Sequence, residues 1–289
     1  MLPASSAFSP IRRVLYATDF GERSRAALPY AAGLARAYGA QLYVAHIVEV
    51  APWETCPELT LQQRIDATRQ LDWILRSPAV VDVEAQAIVR HGGVGAEILS
   101  IVQKNRVDLL VTGSGATRGL RRLLLGPIAA KLARCAPCPV LTVGPRAYPR
   151  IGNAVWMRRI VYASEFNPAS ATALSYAVAF ARHHLARLTV VHTIRESMHD
   201  EVFLASAKAW LRKMAPRADV IVEVGVLRDA AVRLSFQLDA DLIMLGPGTA
   251  QLAQHVVRHA PCAVMTTRPV LEMAPRFNGS ACGTKFDNC

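Results

Sequence analysis

The residues most able to do chemistry lie between positions 113 and 128. Gly113-Ser114-Gly115-Ala116 and Gly126-Pro127-Ile128 flank a stretch that carries Arg118, Arg121 and Arg122. Glycines let backbone N–H groups close on phosphate oxygens, a helix starting there adds the positive end of its dipole, and guanidinium groups bind phosphate bidentately. The chemistry implied is capture of a phosphorylated ligand, with solvated loop charges as the competing reading of the arginines. Gly113-Ser-Gly115 also looks like the start of a dinucleotide fingerprint, but it follows a fourth strand and lacks the last glycine. There is no Gly-x4-Gly-Lys-Ser/Thr segment and no base, nucleophile and orienter at mutually plausible positions, so no enzyme is expected.

What must position these residues is an internal repeat. Arg12-Arg-Val-Leu-Tyr-Ala-Thr-Asp-Phe20 returns 146 positions later as Arg158-Arg-Ile-Val-Tyr-Ala-Ser-Glu-Phe166. The same offset pairs Tyr30 with Tyr176 and His46 with His192. Each copy reads as alternating strands and helices. In the first copy, strands are expected at 14–18, 41–48, 80–89, 108–112 and 140–143, with helices between them. The first helix holds Leu28, Ala31, Ala32, Ala35 and Tyr38 at helical spacing, starts near Ser24 and ends at Gly39. The second, Leu61 to Leu75, offers Ile65, Leu71, Trp73 and Leu75 for burial. Five such strands predict an α/β fold with a parallel sheet and right-handed crossovers, whose ligands lie at the carboxyl ends of the strands. That rule selects residues 17–20, 46–49 and 113–127.

The opening strand ending in Ala17-Thr18-Asp19-Phe20, the strand ending in Ala45-His46-Ile47-Val48, and the segment from Gly113 to Gly126 running into Ala136-Pro-Cys-Pro-Val140 together resemble the universal stress protein family in its tandem form. The resemblance covers Arg12 to Thr267. It implies two copies of a five-stranded, Rossmann-like domain of the adenine-nucleotide alpha-hydrolase type. The boundaries expected are an N-terminal extension at 1–10, a first domain at 11–147, a linker at 148–157, a second domain at 158–269 and a tail at 270–289. It also implies an ATP or other adenine-nucleotide site in the first copy, with magnesium only as the companion of ATP and hydrolysis at most slow and incidental. Ala17, Thr18, Asp19 and Ile47 fall on the base and sugar side; Gly113 to Ala116 and Gly126 to Ile128 fall on the phosphate side.

The family's phosphate pattern is Gly, two residues, Gly, nine residues, Gly, then Ser or Thr. Here the spacing is kept, but position 116 is Ala and position 127 is Pro. Pro127 has neither hydroxyl nor N–H, so two donors are lost, while proline suits the first turn of a helix. Weak nucleotide binding follows, with a non-nucleotide scaffold as the alternative. In the second copy, Gly246 to Ala260 spans 14 positions against 23 from Gly113 to Ala136, and Glu165 replaces Asp19. That copy is expected to be a pairing domain, its last strand, Val264 to Thr267, lying against Val140 to Val143, which leaves other surfaces for a homodimer.

Composition excludes some classes. Hydrophobic residues make up 52% and mean hydropathy is +0.22, too apolar for a disordered chain, yet no run is long enough to span a membrane. A cytoplasmic protein is expected. The net charge of +11 raises a nucleic-acid partner, but the tryptophans are scattered without a basic stripe between them. Cys135-Ala-Pro-Cys138 has redox spacing but no partner pair, and a buried structural role is expected. His46 and His192 read as hydrogen-bonded histidines at equivalent strand ends.

Overall fold

The computed structural model describes residues 11–49, 57–115, 125–147, 157–196, 201–247 and 250–267. Ala116, Arg118, Arg121 and Arg122, like the expected extension, most of the linker and all of the tail, lie outside the described residues.

The first half runs β1 (Arg13–Ala17), α1 (Glu22–Arg25), α2 (Leu28–Tyr38), β2 (Gln41–Val48), α3 (Pro57–Leu75), β3 (Ala85–His91), α4 (Val94–Lys104), β4 (Leu109–Gly113), α5 (Pro127–Cys135) and β5 (Val140–Val143). The second runs β6 (Arg159–Ser164), α6 (Pro168–His183), β7 (Arg187–Ile194), α7 (Glu201–Met214), β8 (Asp219–Val224), α8 (Leu227–Gln237), β9 (Leu242–Leu245), α9 (Ala250–His259) and β10 (Ala263–Thr266). All ten strands share one sheet, in the order β3-β2-β1-β4-β5-β10-β9-β6-β7-β8. Every pairing is parallel except β5 with β10, where Leu141 faces Met265. These two residues occupy equivalent positions of the repeat, so a pseudo-two-fold axis passes between them. The central strands carry apolar residues on both faces, Val14, Leu15 and Tyr16 being buried alike, because helices cover both sides of a parallel sheet.

The repeat extends to polar detail. Asp108 accepts from the N–H groups of Arg12 and Arg13, and Asp241 accepts from those of Arg158 and Arg159. Tyr16 donates to the carbonyl of Ser24, as Tyr162 does to that of Ser170. Equivalent positions also meet across the axis: the Tyr38 hydroxyl lies 2.8 Å from His184 Nε2, and Tyr38 stacks on His183.

Three expectations are corrected. The third strand begins at Ala85 instead of Val80. Val80 and Val83 are held in successive three-residue turns, Val80 N–H to Ser77 O and Val83 N–H to Val80 O, and Arg36 fixes that turn by binding Ala79 O and Asp82. On α3 the buried stripe is Ala67, Leu71 and Ile74, at intervals of four and three, so Ile65 and Trp73 fall off it and Trp73 is 71% exposed. The extent of the first helix also differs: Ser24 lies in the separate turn α1, buried against Thr18.

Gly39 closes α2 in the left-handed region at φ 59°, and its counterpart after α6 is Leu185 at φ 51°, with a side chain 92% exposed. A β-carbon in that region costs roughly 1–2 kcal/mol. Leu185→Gly is therefore expected to stabilise the protein by about 1 kcal/mol, read as a higher denaturant midpoint at unchanged slope. A lower midpoint would show that Leu185 carries packing its exposure conceals.

Candidate functional site

The site grows from the end of β1. Thr18 N–H extends the ladder by one bond, to Ala45 O, and the chain then turns sharply, with Phe20 at φ 61°. The Thr18 hydroxyl accepts from Phe20 N–H at 3.0 Å and lies 3.1 Å from the Ser24 hydroxyl, which fixes the turn against α1. Asp19 stands at the rim, its Oδ1 accepting from Gly21 N–H at 2.9 Å. In the second half, Asn167 occupies the place of Gly21 and caps α6 through its own side chain. The carboxylate of Asp19, exposed in the cleft lining, is thus held through Oδ1 by the backbone of its own turn.

His46 sits beside this turn on β2. Its Nδ1 lies 2.9 Å from Thr18 O and its ring stacks on Phe20 at 4.2 Å. Burial lowers its pKa from the ordinary value, against smaller opposing effects from the Thr18 carbonyl and Asp19. The neutral ring donates from Nδ1, since a carbonyl can only accept. His192 repeats this arrangement with Ser164 O and Phe166. Both histidines are structural braces of the strand ends, as their equivalence implies.

A cleft of about 680 Å³ opens over the carboxyl ends of β1, β2 and β4. Among the expected site residues, Ala17, Thr18, Asp19, Ile47, Gly113, Gly115 and Ile128 line it. Ser114, Gly126 and Pro127 are not among its lining residues, the first two being buried and Pro127 exposed. Ser114 is 2% exposed, and its hydroxyl has no hydrogen-bond partner among the described residues. Gly126 N–H is taken by Ser114 O at 2.8 Å, and Pro127 occupies the first turn of α5, which has no side-chain cap. The sequence reading missed the contribution of α3, which supplies Gln63, Asp66, Ala67 and Gln70. The helical stripe of Ala67 and Leu71 was the available signal, because it sets which polar neighbours turn toward the strand ends.

The lining is acidic. Asp19, Glu49 and Asp66 contribute carboxylates, and no Lys or Arg is among the described lining residues. Such groups accept hydrogen bonds from hydroxyl or amino groups of a ligand and repel its anionic part. Backbone approach is close at the other end: a β-carbon on Gly113 would stand 2.5 Å from Arg23 O, and Gly115 takes φ 73° beside Gly126.

The second half differs where the cleft would lie. Ala207 and Leu211 of α7 are buried as Ala67 and Leu71 of α3 are, which places Trp210 where Gln70 stands. Trp210 meets Phe166 edge to face at 5.0 Å. Cys138 is buried, and that burial pushes its thiol up to about 12, so it stays protonated at ordinary pH, while Cys135 is half-buried. None of the described helices is long and apolar enough to cross a membrane.

Residues 10–144 match the family model of the universal stress protein family. A universal stress protein of Methanocaldococcus jannaschii is 27% identical over 141 residues, covering 46% of this chain and 81% of that protein. The universal stress protein YxiE of Bacillus subtilis is 26% identical over 144 residues, covering 45% and 97%. The crystal structure of a universal stress protein from Archaeoglobus fulgidus superposes with a TM-score of 0.73 at 18% identity, covering 89% of this chain and 96% of that one. The sequence relatives each account for about half of the chain, consistent with a tandem form, and residues 10–144 belong to the universal stress protein family, as a UspA-like domain.

Proposed function

We propose that this protein is a regulatory stress-response protein of the cytoplasm whose first half binds one adenine nucleotide. The observation that carries the reading is the cleft over β1, β2 and β4, with Asp19 oriented at one end and the close backbone approach at Gly113 at the other. Thr18, Asp19 and Ile47 would hold base and ribose, Asp19 accepting from ribose hydroxyls. Gly113, Gly115 and the start of α5 would face the phosphates. The fit is partial. Pro127 has no N–H to give and Gly126 N–H is already bonded, so the phosphate end lacks two donors, each worth about 1.5–3 kcal/mol to a charged acceptor. Binding in the micromolar to millimolar range follows. Magnesium would arrive with the triphosphate, as no group of three or more metal-ligating side chains occurs among the described residues.

The second half is read as a degenerate copy that pairs with the first along β5 and β10. Trp210 packed on Phe166 supports this, because a large ring replaces the polar lining contributed by Gln70. One nucleotide per chain is the expected stoichiometry. The scaffold reading, with no nucleotide at all, is favoured by one feature: Pro127 is well accommodated as the first residue of α5 without any ligand.

Isothermal titration of the full chain with ATP and AMP decides between the two. Heat with a stoichiometry near one, weakened about tenfold or more by Asp19→Ala, supports the nucleotide reading. No heat at millimolar nucleotide, with Asp19→Ala indistinguishable from the parent protein, would falsify it.

A further inference from the structure

We propose that Arg23, which stands next to the cleft lining without being part of it, is a specificity-determining cation of this site, one that makes it prefer a phosphorylated nucleoside to the bare one. The inference rests on the nucleotide reading above. Arg23 belongs to α1, the turn that follows Asp19, and its carbonyl oxygen lies where a β-carbon on Gly113 would come to 2.5 Å. That contact seats α1 directly on the end of β4. From there Nη1 donates to the carbonyl of Gly115, a lining residue of the cleft, at 2.8 Å.

A carbonyl takes one of five guanidinium donors and neutralises none of the charge. No carboxylate is paired with Arg23 among the described residues, although the side chain is half-buried. The guanidinium is thus held at the Gly115 turn without an ion-pair partner among the described residues. Asp19, Glu49 and Asp66 meanwhile make the main body of the cleft acidic. A nucleotide has the same polarity, hydroxyl and amino groups at one end and anionic oxygens at the other. It can seat with both ends satisfied in one orientation only, phosphates toward Arg23. Arginine suits this role because its planar fork remains charged at any working pH and binds two phosphate oxygens at once. It also stands in for donors that Pro127 and Gly126 cannot give. Because Gly115 O already holds the guanidinium in place, little side-chain freedom is lost when phosphate arrives.

Calorimetric titration of the full chain with ATP, AMP and adenosine tests this, using Arg23→Met and Arg23→Lys. Arg23→Met is expected to weaken ATP about 10- to 100-fold and to leave adenosine within about threefold of the parent protein. Arg23→Lys, which keeps a charge without the fork, is expected to fall between the two. Equal weakening of ATP and adenosine would mean that Arg23 only props the Gly115 turn, and unchanged ATP affinity would mean that it does not meet phosphate; either result overturns the proposal while leaving the nucleotide site standing. No binding of any of the three ligands by the parent protein removes the nucleotide reading and this proposal together.

Discussion

Gly144→Ala is expected to cost about 3 kcal/mol of stability, and with it roughly 6–12 °C in melting temperature for a chain of this size. Gly144 follows β5 directly, and a β-carbon there would stand 2.2 Å from the backbone oxygen of Val257. Ordinary contact between such atoms needs more than a further ångström. A side chain could rotate away, but Val257 O belongs to the backbone of α9, and that helix is anchored by buried Leu252, Val256 and Val257. Nor can β5 retreat, because its register against β10 is set by Val140, Leu141 and Thr142 facing Thr266, Met265 and Val264. Both sides of the clash are thus fixed by the seam at the pseudo-two-fold axis. Chemical denaturation followed by circular dichroism measures the loss, and a variant within about 1 kcal/mol of the parent protein would show that the seam is looser than this packing implies.

The second large effect is acid sensitivity. Burial pulls the pKa of His184 down to about 4, the nearby His183 contributing in the same direction. His46 and His192 are also lowered, by burial first. In the folded protein these rings are held neutral, while in the unfolded chain they take up protons near the ordinary value of about 6.5. The unfolded state therefore binds more protons below that pH, and stability falls as pH drops from about 6.5 through about 4, below which both states are protonated and the loss is complete.

The groups around His184 act in concert. Burial raises the Tyr38 phenol, which stays protonated with its oxygen 2.8 Å from Nε2, and Phe180 tilts over the ring at 4.4 Å. Protonating His184 places a charge on a half-buried ring packed against Tyr38 and Phe180. Since the ring is partly solvated, the loss attributable to His184 is on the order of 1–2 kcal/mol. Measured as the denaturant midpoint from pH 7 to pH 4, the slope should flatten in His184→Gln, whose side chain does not titrate. An unchanged slope in that variant would move the acid sensitivity to other groups.

How far the sequence leads is clearest in particular residues. The repeat at an offset of 146 predicted the matched halves, because strand and helix periodicity are local and each copy repeats them. Asp19, Ile47, Gly113 and Gly115 line the cleft because strand ends and glycines announce themselves in the chain. Strand three was misplaced because Val80, Val81 and Val83 are as apolar as a strand, and only the Arg36 contact to Ala79 O and Asp82 shows that they turn. Trp73 was misread as buried because its neighbours Leu71 and Ile74 are, and only the rotation of α3 against the sheet decides which of the three faces solvent.

The sequence by itself determined the α/β class, the tandem organisation, the strand ends over which the cleft opens and the absence of a hydroxyl at position 127. Those are statements about residue type, period and spacing, which act over a few residues. The tertiary structure alone decided that Gln70 and Asp66 face the cleft, that Trp210 lies against Phe166, that Arg23 reaches Gly115 across 92 positions of chain, and that Gly144 tolerates nothing larger beside Val257. Each depends on two segments distant in sequence packing to within contact distance, and contact geometry at that scale is set by the whole core and not by any stretch of the chain.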